Sequence, residues 1–367
     1  MSKKKRWIGG ALLLGLIALT MFLLLRDQPF SQMAEVLAGV KPGYIALGLG
    51  LMFLFVGSEA MCSKLILGRL GHALPYRRCL GFSFVGFYVS SITPSATGGQ
   101  PAQVYYMSKN GVPAAHGALN MMLIAVCYQV TVLIYALIAA ITQPGFIASM
   151  GVGMNLLLLY GALVMLALTA GMLCFMFLPN AARKLMGGLL NLGVKVRIIK
   201  DRAASQARLD GQMEEYRKGA ECFRRNPGLA PVLMVLNFVQ LTALFLIPFV
   251  VYKAFGLTGH SVFELVGAQA LLTLATSSLP LPGAVGASEG GFVLSFALFF
   301  GTELVTPAVL VSRGISFYAF LLISGGVTLT VHLRARRRGL EPSPSPLRTQ
   351  RERPRGSLPR PAAPPMI

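Results

Sequence analysis

Residues 92–101 of the chain run Ile-Thr-Pro-Ser-Ala-Thr-Gly-Gly-Gln-Pro, and residues 279–291 run Leu-Pro-Leu-Pro-Gly-Ala-Val-Gly-Ala-Ser-Glu-Gly-Gly. Both stretches combine two prolines with a Gly-Gly pair, and both lie between apolar runs. Proline interrupts a helix and glycine adopts backbone angles that other residues avoid, so we predict that each stretch breaks a helix. Irregular backbone at membrane depth is tolerated only where protein or a wet cavity satisfies its polar groups. We call these stretches the first break and the second break.

The composition around the two breaks is that of a membrane protein. Of the 367 residues, 54% are hydrophobic and only 13% are charged, whereas a soluble domain carries about 25% charged residues. The net charge is +20, but the basic residues lie in blocks between apolar runs, which favours an anionic lipid surface and not nucleic acid as the partner. Five cysteines and four histidines form no cluster along the sequence, so we expect no disulfide scaffold, metal site or cofactor.

Nine apolar runs are the candidate spans, and together they predict an all-α polytopic membrane protein. A span needs about 20 apolar residues, and the third, seventh and eighth runs are short or end in the breaks. The first run exceeds the apolar core of a signal peptide, which is about 7–15 residues, so we expect an uncleaved span. The runs are Trp7–Leu25, Gly43–Cys62, Cys79–Thr93, Gly117–Thr142, Met154–Leu178, Leu229–Tyr252, Val262–Leu279, Gly290–Gly301 and Leu304–His332.

The distribution of Lys and Arg predicts the orientation of these spans, because cytoplasmic loops are enriched in both. Most of the 33 basic residues lie at the N-terminus, in Lys64–Arg78, in Arg183–Arg225 and in the tail from Arg334 onward. We therefore expect all four blocks, and both termini, in the cytoplasm. Residues 79–110 then begin and end inside, whereas residues 262–301 begin and end outside, so that neither segment is one ordinary span.

We predict that each of these two segments is a broken, re-entrant hairpin, one entering from each side of the membrane. This pattern is typical of the inverted repeats of secondary transporters, whose sites lie near the bilayer midplane. The alternative is a pair of short ordinary helices in each segment. The connections at 143–153, 254–261 and 302–303 are expected outside.

The predicted integral membrane domain covers residues 1–335 and contains one long polar insert at 180–228. The insert is expected to be a cytoplasmic amphipathic helix that lies on anionic lipid headgroups. The tail at 336–367 is basic and rich in proline, and we expect it to be disordered and attracted to lipid. The apolar stripe of the insert consists of Leu209, Met213, Tyr216, Ala220 and Phe223.

Polar residues at the two breaks are candidate binding groups. At the first break, freed backbone groups and the side chains of Thr93, Ser95, Thr97 and Gln100 could bind a phosphate or a sugar; a surface loop is the alternative. Before the second break, Gln269, Thr273 and Thr276 are spaced i, i+4 and i+7, which gives one helix a polar face. This face is either a helix–helix contact or the wall of a polar path.

Charged residues are few inside the predicted spans and breaks, where a charge is costly and indicates function. Glu59 is expected near the cytoplasmic interface, in a surface role. Glu289 and Arg313 are expected at similar depth, which predicts an ion pair. The pair either bridges the hairpin structurally, or Arg313 binds a lipid phosphate while Glu289 receives a cationic headgroup or a proton. The sequence contains no P-loop, paired-histidine metal motif or nucleotide-binding unit, so we predict no enzymatic activity.

At the two breaks the sequence resembles the flippase-like family, also called the lysylphosphatidylglycerol synthase transmembrane region, which includes the membrane domain of the multiple peptide resistance factors. Residues 92–101 are similar to the family's first Pro/Gly-Gly motif. Residues 279–283, with Gly286 and Glu289-Gly290, are similar to its second motif, and Arg313 matches an arginine of the following helix. The resemblance covers about residues 5–335. Many members carry an arginine after the first Gly-Gly pair, where Gln103 lies here.

The resemblance implies a flippase of the bacterial inner membrane whose substrate is a phospholipid: anionic, aminoacylated or polyprenyl-linked. In the multiple peptide resistance factors a similar domain is thought to flip lysylphosphatidylglycerol, which a fused aminoacyltransferase makes. This chain ends after its last span, so we expect the aminoacyltransferase to be a separate partner. A component of lysylphosphatidylglycerol synthesis, and a scaffold that recruits a partner through 180–228, remain the alternatives. The residues predicted to bind or translocate the lipid are Thr93, Pro94, Ser95, Thr97, Gly98, Gly99, Gln100, Gln103, Gln269, Thr273, Pro280, Pro282, Gly283, Gly286, Glu289 and Arg313.

Overall fold

A computed structural model describes residues 39–177 and 225–337, together with single positions at 15, 22, 210, 211, 214, 217 and 221. The predicted span at 7–25, the apolar stripe of the insert and the tail after residue 337 lie outside the described residues. Within the described part of the chain every regular element is helical, which confirms the all-α class. The helices are α1 Pro42–Arg69, α2 Tyr76–Ser91, α3 Gly99–Ser108, α4 Ala114–Thr142, α5 Pro144–Ser149, α6 Gly151–Phe177, α7 Leu229–Phe245, α8 Ile247–Ala254, α9 Val262–Thr276, α10 Ala287–Arg313 and α11 Phe320–Arg337.

The described residues include five helical segments that are long and apolar enough to cross a membrane. Four of them coincide with predicted apolar runs, and the fifth covers part of the second break and the last two runs. Large side chains on α6 such as Leu156, Leu159 and Leu163 are exposed, as expected of a lipid-facing surface. The protein is therefore a multi-pass membrane protein. The segments are Pro42–Arg69, Ala114–Thr142, Gly151–Met176, Leu229–Ala254 and Pro282–Ala335.

Each of the two segments predicted to be hairpins consists of a short helix, a 3₁₀ turn and a second short helix. In the first hairpin, α2 and α3 flank the first turn, Pro94–Ala96. In the second hairpin, α9 and the part of α10 before Gly301 flank the second turn, Pro282–Ala284. At 1.5 Å per residue these helices are about 15–24 Å long, so each is shorter than the hydrocarbon core of about 30 Å. The first and second turns contact each other.

Three details of the helices differ from the predictions. The expected connection at 302–303 is a kink one residue earlier, because Gly301 (φ 72°, ψ 170°) interrupts the helix at a single residue within α10. The predicted run Leu229–Tyr252 is divided between α7 and α8, with Pro248 in the first turn of α8. A π-helical segment, Gly314–Ala319, joins α10 to α11. Segments of this kind are frequent at functional sites, because they turn side chains away from the helical register.

The helices pack around the second turn, where Pro282 is buried, whereas the residues of the first turn are exposed. α1 packs against α2, α4, α7 and α8, and α9 packs against α4 and α6. Buried phenylalanines fill the space behind the second hairpin; the rings of Phe292 and Phe296 stack with centroids 4.1 Å apart. This core fixes the positions of α9 and α10, and with them the polar groups of the second break.

Candidate functional site

The first turn is held by neutral, local hydrogen bonds. The Thr93 hydroxyl donates to the Val89 carbonyl (2.8 Å) and accepts from the Gly98 N–H (3.0 Å). The Thr97 hydroxyl donates to the Pro94 carbonyl (2.9 Å). Thr93 is buried, whereas Thr97 is exposed. The hydroxyl groups of this break therefore form hydrogen bonds with backbone groups of the break and of the end of α2.

The Gly-Gly pair of the first break allows α3 to approach α2. A Cβ atom on Gly99 would overlap the Ser90 hydroxyl and lie 2.7 Å from the Gly86 carbonyl oxygen. A Cβ atom on Gly98 would lie 2.7 Å from the Thr93 methyl group. The pair is needed for close packing, since a side chain at Gly99 would meet backbone that cannot move aside.

The second turn repeats the backbone of the first but is held by charged side chains. Gly283 and Ala284 have φ angles of 58° and 51°, as Ser95 and Ala96 have 49° and 53° in the first turn. The Arg313 Nη2 donates to the Gly283 carbonyl (3.1 Å), and the neighbouring Gly286 N–H donates to a carboxylate oxygen of Glu289 (2.7 Å).

Glu289 and Arg313 form the predicted ion pair. The Arg313 Nε donates to Glu289 Oε1 at 2.8 Å, and the two side chains are 15% and 1% exposed for Arg313 and Glu289 respectively. The Tyr318 hydroxyl donates to the same carboxylate oxygen (3.1 Å), and the guanidinium lies 4.4 Å from the centroid of the Phe317 ring. Pairing is therefore confirmed, and both partners also bind backbone groups of the second break.

A cavity of about 290 Å³ lies between the two turns. The polar wall of the cavity is the face of α9 that carries Gln269, Thr273 and Thr276, as predicted from their spacing. Arg313 also lines the cavity. The Arg313 Nη1 forms no hydrogen bond or ion pair within the described residues, so its N–H groups remain for a ligand. The lining residues are Phe55, Phe87, Ser90, Ser91, Ala96, Tyr128, Leu244, Gln269, Leu272, Thr273, Thr276, Ser277, Gly283, Ala284, Ser288, Phe292, Ser312, Arg313, Ser316 and Phe317.

The structure brings only some of the predicted residues to this cavity. Gln269, Thr273, Gly283 and Arg313 line it, and Glu289 is buried beside it. The predicted residues Thr93, Gly98, Gly99, Gly286 and Pro282 belong to the turns or the close packing next to them. Pro94, Ser95, Thr97, Gln100 and Pro280 are exposed outside the lining. Their role in lipid binding stays a prediction.

Several cavity residues were missed by the sequence reasoning. Ser312 and Ser316 flank Arg313, and Ser288 precedes Glu289 in the lining. Tyr318 binds the Glu289 carboxylate. The i, i+4 spacing of the two serines around an intramembrane arginine is a sequence pattern that could have identified this wall.

One expectation about a polar residue is wrong, and two histidines lie close together in space. Glu59 does not face the surface: it is half-buried and accepts a hydrogen bond from the buried Gln103 Nε2 (2.9 Å). The histidines, which form no cluster along the sequence, include one pair in space. His72 Nε2 and His116 Nδ1 are 2.9 Å apart. Both contacts join residues that are distant in sequence, and His72 lies in the connection between α1 and α2, so spacing along the chain does not reveal them.

The apolar helices and the cavity beside the two turns are those of a multi-pass helical membrane protein. The chain belongs to the family described as the lysylphosphatidylglycerol synthase TM region, which matches residues 6–324. It is 24% identical, over 264 residues, to a UPF0104 membrane protein of Archaeoglobus fulgidus, an alignment that covers 71% of this chain and 77% of that protein. No solved structure matches the chain.

Proposed function

We propose that the protein is a lipid flippase that receives a phospholipid headgroup in the cavity between the two turns. The observation that carries this proposal is the cavity itself, because it joins a polar wall, an arginine and an aromatic wall inside a membrane protein. Membership of a family whose name refers to lysylphosphatidylglycerol supports a lipid substrate. A headgroup needs such a polar path, since charged and hydroxyl groups are costly in hydrocarbon.

The chemistry of the cavity favours a phosphate-containing headgroup. The Arg313 Nη1 carries two N–H donors that face no protein partner in the described residues, and guanidinium N–H groups form charge-assisted hydrogen bonds to phosphate oxygens. Ser288, Gln269 and Thr273 supply neutral donors around it. We propose an anionic phospholipid as the substrate class; an aminoacylated lipid such as lysylphosphatidylglycerol, or a polyprenyl-linked lipid, shares the phosphate.

We further propose that the two hairpins are re-entrant and enter from opposite sides in an inverted repeat. Two observations support this: the turns share one backbone conformation, and they contact each other. Cysteines introduced near 70, 200 and 345 should then label only from the cytoplasmic side. Labelling at 200 from outside would contradict the arrangement of both hairpins.

On this proposal the protein moves lipid and does not itself transfer an amino acid, and it acts in the inner membrane of a bacterium. Anionic headgroups would bind the basic cytoplasmic segments, and a separate aminoacyltransferase would supply the substrate if it is lysylphosphatidylglycerol. A role as a component of that synthesis is the alternative. This alternative predicts that such an enzyme is encoded beside this gene. It also predicts that lipid synthesis depends on the chain, whereas lipid flipping does not.

Headgroup accessibility in proteoliposomes of several lipid compositions tests the proposal. The informative variant is Glu289→Gln/Arg313→Gln, because replacing both members of a buried ion pair costs far less stability than removing one. We expect a folded protein that no longer flips anionic phospholipids. Thr330→Val, an exposed site on α11, is the matched control and should flip as the wild type does. Wild-type flipping by the double variant would contradict the assignment of Arg313.

A further inference from the structure

Glu59 is the second intramembrane carboxyl group in the described chain, and its surroundings differ from those of Glu289. It lies in α1 and faces α2, α3 and α4. No Lys, Arg or His forms an ion pair with it among the residues that the structure describes. Its titratable neighbours are Cys62 on α1 and Tyr128 on α4, and neither is a cation at neutral pH. A carboxylate without a cation is costly at this depth.

The side chain opposite Glu59 is Gln103, and its amide oxygen accepts no hydrogen bond within the described residues. Gln103 is 5% exposed; its Nε2 donates to Glu59 Oε1 (2.9 Å), but its Oε1 is buried and receives no hydrogen bond within the described residues. The contact is built into the fold at Gly86 of α2, where a Cβ atom would overlap the Gln103 amide. Because Gly86 has no side chain, the Gln103 side chain of α3 can pass α2 and contact Glu59 of α1. A buried amide oxygen without a donor is unfavourable.

We propose that Glu59 is a proton-binding site whose carboxylic acid pairs with the Gln103 amide through two hydrogen bonds. In this pair the amide N–H donates to one carboxyl oxygen, and the acid O–H donates to Gln103 Oε1. One proton, taken from water, therefore removes the unpaired charge and supplies the missing donor. The same arrangement is impossible for an ionised Glu59, because a carboxylate only accepts hydrogen bonds.

Release of this proton would change the first hairpin. An ionised Glu59 keeps the amide N–H bond but loses the second bond to Gln103, and it places a negative charge beside the amide oxygen. The link from α1 to α3 then weakens, and α3 leads directly from the first turn. This would give the proposed flippase a proton-dependent contact at the first hairpin, and the proton site itself does not depend on lipid transport.

Infrared spectroscopy of the purified full-length protein in detergent tests the assignment. At neutral pH we expect a carbonyl stretch of a protonated carboxylic acid that is lost in Glu59→Gln, an isostere able to pair with an amide. Glu289→Gln/Arg313→Gln is the matched control and should keep the band, because the Glu289 carboxylate forms an ion pair with Arg313 and is not the proposed proton site. Gln103→Leu should shift the band to higher frequency, and Glu59→Asp should retain it at a changed frequency. Raising the pH should bleach the band of the wild type.

An unchanged band in a folded Glu59→Gln variant, or no such band in the wild type, would overturn the proposal. If Glu59→Gln fails to fold, the shift expected in Gln103→Leu still decides the pairing, and its absence would refute it. These readouts need no lipid. A protein that shows the band but does not flip lipid would refute the proposed function and leave the proton site standing.

Discussion

The two breaks have nearly the same backbone and different support. In each, an extended residue precedes a proline and two residues with positive φ. Neutral hydroxyls within the break hold the first turn, and four exposed residues of this break lie outside the cavity lining. The second turn is held by Arg313, which forms an ion pair with Glu289 and donates a hydrogen bond to the Gly283 carbonyl. The comparison shows that one turn conformation can be held by neutral local hydrogen bonds at one place and by a buried ion pair at another.

The difference also explains which residues occupy the turns. A residue other than glycine with positive φ costs about 1–2 kcal/mol, and the first turn accepts this at both Ser95 and Ala96. In the second turn Gly283 removes one such cost, and its missing side chain makes room for the Phe317 ring against the turn. Phe317 in turn contacts the Arg313 guanidinium. Glycine at 283 is therefore required by the charged site.

The largest difference is expected when each turn loses its principal side-chain support. Arg313→Ala leaves Glu289 buried without its cation, and we expect a loss of stability of about 3–5 kcal/mol. Thr93→Val removes one acceptor from the Gly98 N–H and should cost about 1–3 kcal/mol. Thermal unfolding in detergent measures both. Equal losses would mean that the ion pair does not distinguish the second turn.

An exchange of the central turn residues sharpens the comparison. Gly283→Ser introduces a side chain with positive φ that overlaps the Phe317 ring, so we expect destabilisation of about 2–4 kcal/mol. Ser95→Gly relieves strain but adds chain entropy to the unfolded state, and its stability should stay within about 1 kcal/mol of wild type. The same unfolding assay applies. A neutral Gly283→Ser would show that the second turn is not tightly packed.

The Gly-Gly pairs should differ in the same assay by a smaller amount. Gly99→Ala pushes α3 against Ser90 and the backbone of Gly86, and overpacking of this kind costs about 1–3 kcal/mol. Gly290 has open space at its Cβ position, so Gly290→Ala should be tolerated. Replacement of both Gly98 and Gly99 by Val should abolish flipping while much of the protein still inserts. Full activity of that double variant would make the first break an ordinary surface loop.

The smallest effect is expected at the entrance of the first hairpin, where His72 contacts His116. Burial, and then the neighbouring His116, lower the pKa of His72 from its ordinary value of 6.5. The unfolded chain therefore binds the proton more readily, so stability should fall as the pH drops below 6.5 and level off below the folded pKa. In His72→Gln this part of the pH dependence should disappear. An unchanged pH profile of unfolding would exclude the histidine pair as its source.

Features with a local cause could be predicted from the sequence. The apolar runs predicted the spans, and the prolines and glycines predicted both breaks. The similar depth expected for Glu289 and Arg313 predicted their ion pair. Contacts set by packing could not be predicted, because they join distant parts of the chain. Gln103 reaches Glu59 only because Gly86 lies between them. The kink at Gly301 likewise depends on a single residue's φ angle.

The central claim is that the cavity between the two turns receives the headgroup, and its polar α9 wall tests this most directly. Gln269 and Thr273 line the cavity but take no part in the ion pair or in either turn. In proteoliposomes, Gln269→Leu/Thr273→Val should fold normally and flip anionic phospholipids at least tenfold more slowly, an increase in the barrier of about 1.4 kcal/mol, while Thr330→Val flips at the wild-type rate. A wild-type rate in the double variant would contradict the account.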